Sequence, residues 1–149
     1  MKIVLVSSAG GHLAQLLPLE PWWSKHERTW VSFKLPEVES ALAGENVVWA
    51  YFPTTRSIVN ATKNFFLAWP TLLKVRPDLV ISDGAGVSVP FFLVAKVLRI
   101  KTVYLECFDR VEMPTLSGRI CYPMSDIFCV QWPQQLRSYP DAINLGPVL

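Results

Sequence analysis

Short, almost wholly apolar runs alternate along this chain with longer segments whose apolar positions recur every three or four residues. Lys2–Ser7, Thr29–Phe33, Asn46–Tyr51, Asp78–Ser82, Thr102–Glu106, Asp126–Gln131 and a last short run, Ile143–Leu145, are expected as strands. Between them His12–Leu19, Pro36–Ala43, Ser57–Arg76, Val87–Arg99 and Leu116–Met124 are expected as helices, with Pro133–Ser138 as a helical turn. Pro70 should kink the longest of these. Apolar strands that alternate with helices predict a parallel sheet covered on both faces. The expected fold is therefore α/β and Rossmann-like, one domain over residues 1–149.

Composition sharpens this picture in one respect. Hydrophobic residues make up 51% of the chain and charged residues 17%, and the mean hydropathy is +0.29. No apolar stretch, Val89–Ala95 included, comes near the roughly 18–20 residues that cross a bilayer. The first strand is too short for a signal peptide, so a cytosolic chain is expected, with surplus apolar surface facing a membrane, a partner or both. A net charge of +2 gives no reason to expect nucleic acid. The three cysteines lack metal-ligand spacing and suit a reduced compartment as small buried hydrophobes.

In parallel sheets ligands bind beyond the carboxyl ends of the strands. Three such places carry glycine or ionisable residues. Ser7-Ser8-Ala9-Gly10-Gly11-His12 is a strand-to-helix turn in which backbone N–H groups can approach a polar or anionic ligand. The helix dipole should lower the His12 pKa, making a neutral imidazole that can take a proton from a hydroxyl. The plainer reading is a tight turn with His12 as a capping residue. Asp83-Gly84-Ala85-Gly86 follows the fourth strand; its glycines leave room for substrate and Asp83 can orient a loop or a sugar hydroxyl, unless it is simply a turn. Glu106, with Arg110 nearby, can accept from sugar hydroxyls or serve as a base if burial raises its pKa, or it can form an ion pair with Arg110. The absence of a D-x-D motif and of a metal-ligand cluster points to a metal-independent site without a bound cofactor. A G-x-G-x-x-G fingerprint is absent too, and Ser32-Phe33-Lys34 stands where an NAD-binding fold carries an acid.

Two helices are unusually apolar and carry basic residues. Phe65, Phe66, Trp69, Leu72, Leu73 and Val75 share one broad face of Ser57–Arg76, with Arg56, Lys63, Lys74 and Arg76 along or beside it. Phe91 and Phe92 lead an equally greasy helix ending in Lys96 and Arg99. With Trp22-Trp23, these aromatics are more than so small a core readily buries. Phe65, Phe66, Trp69, Leu72, Leu73, Phe91 and Phe92 are accordingly expected to meet an anionic membrane interface.

The ordered set of motifs resembles a known family over nearly the whole chain. Ser8-Ala9-Gly10-Gly11-His12 looks like the S-x-G-G-H turn of the membrane subunits of two-component UDP-sugar transferases. That family includes PssD-like exopolysaccharide proteins and the Alg subunit of dolichol-linked oligosaccharide synthesis. Pro77-Asp78-Leu79-Val80 through Gly86 is similar to its P-D-L-V-x-x-x-G-x-G segment, with Asp83 where the family has cysteine or asparagine. Leu105-Glu106 to Arg110, Leu116-Ser117-Gly118-Arg119, Tyr122-Pro123, Asp126 and Val130-Gln131-Trp132-Pro133 resemble its V-E-S-x-x-R, L-S-G-K/R, Y-P-x-A-D and V-Q-W-P run.

The resemblance implies the N-terminal half of a MurG-like GT-B glycosyltransferase, the half that docks on the membrane and binds a lipid-linked saccharide acceptor. A complete two-domain enzyme has about twice this length, so the UDP-sugar is expected on a separate, PssE-like donor-binding subunit. The implied reaction is inverting transfer from a UDP-sugar to a polyprenyl-diphosphate-linked saccharide in bacterial exopolysaccharide or capsule synthesis, on the cytoplasmic face of the inner membrane. A non-catalytic anchor that recruits the catalytic subunit is the alternative. Carried over residue by residue, Ser8, Gly10, Gly11, Asp83, Gly84, Gly86 and Arg110 bind substrate, and His12 or Glu106 is the base. The segment Asn144–Leu149 is expected near the partner.

Overall fold

The computed structural model describes residues 1–148; Leu149, the end of the segment expected near a partner, lies outside the described residues. Seven strands, β1 (Lys2–Val6), β2 (Glu27–Phe33), β3 (Val47–Ala50), β4 (Leu79–Ser82), β5 (Lys101–Leu105), β6 (Ile127–Val130) and β7 (Ile143–Asn144), form one sheet. Every pairing is parallel, in the order β3-β2-β1-β4-β5-β6-β7. The chain first winds outward from β1 to β3 and then returns to β4 on the other side of β1. This reversal opens a crevice between the carboxyl ends of β1 and β4, where doubly wound sheets take their ligands.

Alternation along β1 shows how the two faces are filled. Val4 and Val6 point into one core with α4 (Ile58–Val75), α5 (Ser88–Val97) and α6 (Leu116–Cys121), while Ile3 and Leu5 point into the other with α1 (Gly11–Leu16), α2 (Glu20–Trp23) and α3 (Pro36–Ala41). Two acidic residues from the resembling motifs turn out to pin strand starts. Asp78 Oδ2 accepts from Lys2 N at 2.8 Å, and Asp126 Oδ2 from Thr102 N at 2.8 Å.

Three expectations need correction. The first helix ends at Leu16, because Pro18 and Pro21 deny it further backbone donors; a 3-10 turn and α2 follow instead. Trp23 is then buried, its indole donating to Leu16 O at 3.0 Å and meeting Trp30 edge-on, so the tryptophan pair is not a membrane surface. The apolar faces of α4 and α5 also divide differently. Leu72 (1% exposed), Phe91 and Phe92 (both 0%) are core residues, and Phe65 and Trp69 pack half-buried against the core. The reason is position: α5 packs between α4 and α6 over the sheet, and a helix covered on several sides is apolar all round. Phe66 (67%) and Leu73 (53%) do remain exposed. Among the described residues no helix is long and apolar enough to cross a membrane.

Candidate functional site

The loops after β1, β3, β4 and β5 meet above the crevice. A cleft of about 720 Å³ opens there, lined by Ser8, His12, Arg56, Gly86, Arg110 and Ser117 among others. A smaller recess of about 320 Å³ lies against Gly11, His12, Gln15, Cys107 and Asp109. His12 borders both. Gly10 and Gly11 stay exposed in the turn that leads to it, with open space where a side chain would stand.

His12 sits in the first turn of α1, its side chain 28% exposed. Nδ1 lies 3.1 Å from the Asp83 carbonyl oxygen. A carbonyl only accepts, so Nδ1 carries a proton and Nε2 is the ring nitrogen left to exchange one with a ligand. The Asp83 carboxylate stands behind it, Oδ2 at 3.7 Å, and the Cys107 thiol at 3.6 Å. Burial is the largest influence on His12 and by itself lowers its pKa. The hydrogen bonds and charges of Asp83 and Cys107 together outweigh it and push the pKa up to about 11. This reverses the expectation from the helix dipole, because a carboxylate within contact distance in a buried setting dominates a six-residue helix. Asp83 is fully buried, which raises its own pKa. The pair therefore retains one shared proton at neutral pH. Asp83 faces His12 and Gln15 and is not among the residues that line the cleft, and its Oδ1 has no partner among the described residues.

Gly84 is needed by the protein itself. It has φ +112°, and a Cβ there would lie 2.8 Å from the Tyr104 hydroxyl and 3.3 Å from His12 Cε1. The vacancy expected for substrate is filled by these two rings. Gly86, by contrast, does line the large cleft.

Glu106 is 0% exposed and lines neither the cleft nor the recess. Its carboxylate accepts from Cys107 N (2.9 Å), Thr115 N (3.1 Å), Thr115 Oγ1 (2.8 Å) and Tyr139 OH (2.7 Å). A carboxylate so saturated, without access to a ligand, organises the loop instead of taking a proton from substrate. No ion pair joins it to Arg110 among the described residues. Arg110 instead lines the large cleft.

Residues 47–148 match the family of the oligosaccharide biosynthesis protein Alg14. The chain belongs to the Alg14-like family. The human UDP-N-acetylglucosamine transferase subunit ALG14 is 34% identical over 104 residues, covering 66% of this chain and 47% of that protein. The Yarrowia lipolytica subunit of the same name is 29% identical over 149 residues, 95% of this chain and 65% of that one. This Alg14-like chain spans about half the length of the mammalian relatives it matches. MurG of Acinetobacter baumannii superposes with a TM-score of 0.75 at 15% identity, covering 89% of this chain and 42% of MurG. A Neisseria meningitidis UDP-GlcNAc 2-epimerase superposes at 0.77 and 13% identity, over 99% of this chain and 47% of that one. At such identities the likeness shows the fold: a MurG-like, GT-B N-terminal Rossmann unit.

Within the Alg14-like match, the motif residues act mostly as a frame around the loop after β5. Gln131 Nε2 donates to Gln15 Oε1 (2.7 Å) and to Glu106 O (2.9 Å), Trp132 Nε1 to Phe108 O (2.6 Å), and Gln135 Nε2 to Arg110 O (2.5 Å). Gly118 is a glycine because any side chain would collide with the Glu106 carboxylate and the Tyr139 hydroxyl. Gln15, Cys107 and Tyr139 escaped sequence reasoning, since nothing in their local pattern separates them from ordinary helix, strand-end or loop residues. Arg56 drew notice there only as a basic residue ahead of a helix.

Proposed function

We propose that this chain is the acceptor-binding subunit of a heteromeric, inverting glycosyltransferase. It would transfer N-acetylglucosamine from the UDP-sugar to a polyprenyl-diphosphate-linked saccharide at a membrane surface. The observation that carries this reading is the cleft at the β1/β4 crevice, with His12 on its wall and the buried Asp83 carboxyl group behind it, in a chain of the Alg14-like family. The names of the relatives favour N-acetylglucosamine over glucuronic acid or galactose as the donor sugar. The family description favours oligosaccharide biosynthesis over exopolysaccharide or capsule assembly as the pathway. Ser8, Gly10, Gly11, Gly86 and Arg110 are the residues proposed to meet the acceptor, and the donor-binding domain is assigned to a separate partner subunit.

In the proposed step the acceptor hydroxyl gives its proton to His12 Nε2 and its oxygen forms a bond to the anomeric carbon. The bond from that carbon to the UDP oxygen breaks with its electron pair leaving on UDP, so configuration inverts. Asp83 stabilises the imidazolium that forms, as the carboxylate of a His–Asp pair does. Glu106 holds the loop that presents Arg110. The exposed residues Phe66, Leu73, Leu93 and Val97 on α4 and α5, with Lys63, Lys74, Lys96 and Arg99 beside them, make the face that meets an anionic bilayer.

A passive anchor that only recruits the catalytic subunit is the second reading, favoured by that same apolar and basic face. The assay is to co-express the chain with its donor-binding partner and follow transfer from UDP-N-acetylglucosamine, UDP-glucuronate and UDP-galactose to a short-prenyl diphosphate saccharide. Transfer is expected from UDP-N-acetylglucosamine, with His12→Ala slower by roughly 10²–10⁴-fold. A wild-type rate in His12→Ala would remove the base assignment and favour the anchor.

A further inference from the structure

The large cleft is charged in one sense only. Arg56 and Arg110 line it, and among the described residues no Asp or Glu does. Among the described residues neither arginine has a carboxylate within 4.0 Å, although the chain as a whole carries nearly as many acids as bases. The two side chains come from loops on either side of the switch point, Arg56 after β3 and Arg110 after β5.

Both loops are built to hold their shape. Arg56 adopts φ +53°, a left-handed conformation that costs a non-glycine residue energy. Its loop is tied to α4 through Asn60 Nδ2 to Pro53 O (2.7 Å) and through Asn64, which bonds both Tyr51 N (2.8 Å) and Tyr51 O (3.0 Å). Gly86 lets the loop pack closely, since a Cβ there would lie 2.9 Å from Thr54 Cβ. On the other side, Gln135 fastens the Arg110 carbonyl.

Each arginine is also followed by bare apolar residues. Ile58 and Val59 come just after Arg56, and Met113 and Leu116 follow Arg110, all four strongly exposed. A soluble phosphate has no use for such a rim, whereas a lipid-linked anion would lay its chain against it.

We propose that Arg56 and Arg110 clamp the diphosphate of a lipid-linked acceptor from the two sides of the cleft, and so select a diphosphate over a monophosphate linkage. Two guanidinium forks match the two phosphoryl groups, each presenting paired N–H donors to phosphate oxygens. The proposal rests on the acceptor-binding reading above and adds the recognition chemistry.

The test is binding of farnesyl diphosphate, farnesyl monophosphate, inorganic pyrophosphate and farnesol to the purified full chain by calorimetry, with Arg56→Gln and Arg110→Gln alongside. Both positions are exposed, so thermal melts should match wild type. Farnesyl diphosphate is expected to bind at least tenfold more tightly than the other three probes, and to lose about tenfold or more in either variant, the size of a lost charge-assisted hydrogen bond. Its affinity should also fall as salt is raised. Equal binding of the diphosphate and monophosphate, or wild-type affinity in both variants, overturns the clamp. Pyrophosphate binding as tightly as the farnesyl ester would make the site one for a free anion and equally overturns it. In the transfer assay, unchanged acceptor KM in both variants sinks the clamp while the transferase reading stands. Arginine-dependent binding without transfer from any UDP-sugar supports the clamp and counts against that reading.

Discussion

His12 shows how far one residue's chemistry depends on neighbours remote in the sequence. Asp83 and Cys107 are brought to it by the ends of β4 and β5, and they hold its proton up to about pH 11. A base in that state works only after the pair gives up its proton. Transfer should therefore rise with pH through the neutral range, and Asp83→Asn should move the rising limb down towards the ordinary histidine value near 6.5. A pH–rate profile unmoved by Asp83→Asn would show that His12 is not the base. Stability follows the same linkage. The folded pKa lies above the unfolded one, so the contribution is complete below about 6.5 and is lost as pH climbs towards about 11. Wild type should consequently lose more of its urea midpoint between pH 7 and pH 10 than His12→Gln does. Glu106 poses a different question, that of a buried charge held by four donor groups. Glu106→Ala leaves those donors unpaired and should cost about 3 kcal/mol or more, read as a lowered denaturation midpoint. Loss of activity without loss of stability would contradict the loop-holding role.

At the scale of elements, α4 separates two kinds of apolar position that share one helical pattern. Asn64, Ala68, Thr71 and Leu72 form its buried stripe, while Val59, Phe66 and Leu73, each seven residues apart, form an exposed one. Periodicity found an amphipathic helix but could not say which of its apolar residues the sheet takes. Only the packing of α5 between α4 and α6 decides that. The two stripes should respond differently to substitution. Phe66→Asp with Leu73→Asp should abolish flotation with phosphatidylglycerol vesicles and leave the melting temperature nearly unchanged. Phe91→Ala should instead cost roughly 3–5 kcal/mol, as truncation of a buried phenylalanine does. Vesicle binding that survives the double aspartate change would move the membrane face elsewhere.

For the whole molecule, the alternation of apolar runs and helices was enough for the class of fold, because a strand buried on both faces must be apolar throughout. All seven expected strands are present, and the three loops singled out at strand ends do converge with a fourth. The fourth loop, which carries Arg56, was not legible. Pro53-Thr54-Thr55-Arg56 has no glycine pattern, and its place at the cleft follows from the order of the strands in space.

The sequence by itself determined the alternating α/β architecture, the glycine-rich turns and the family, since each rests on local pattern or ordered motifs. Tertiary structure alone decided that Asp83 serves His12, that Glu106 is sealed inside and that two arginines face one cleft. Those facts depend on contacts between residues tens of positions apart, which periodicity and spacing do not encode.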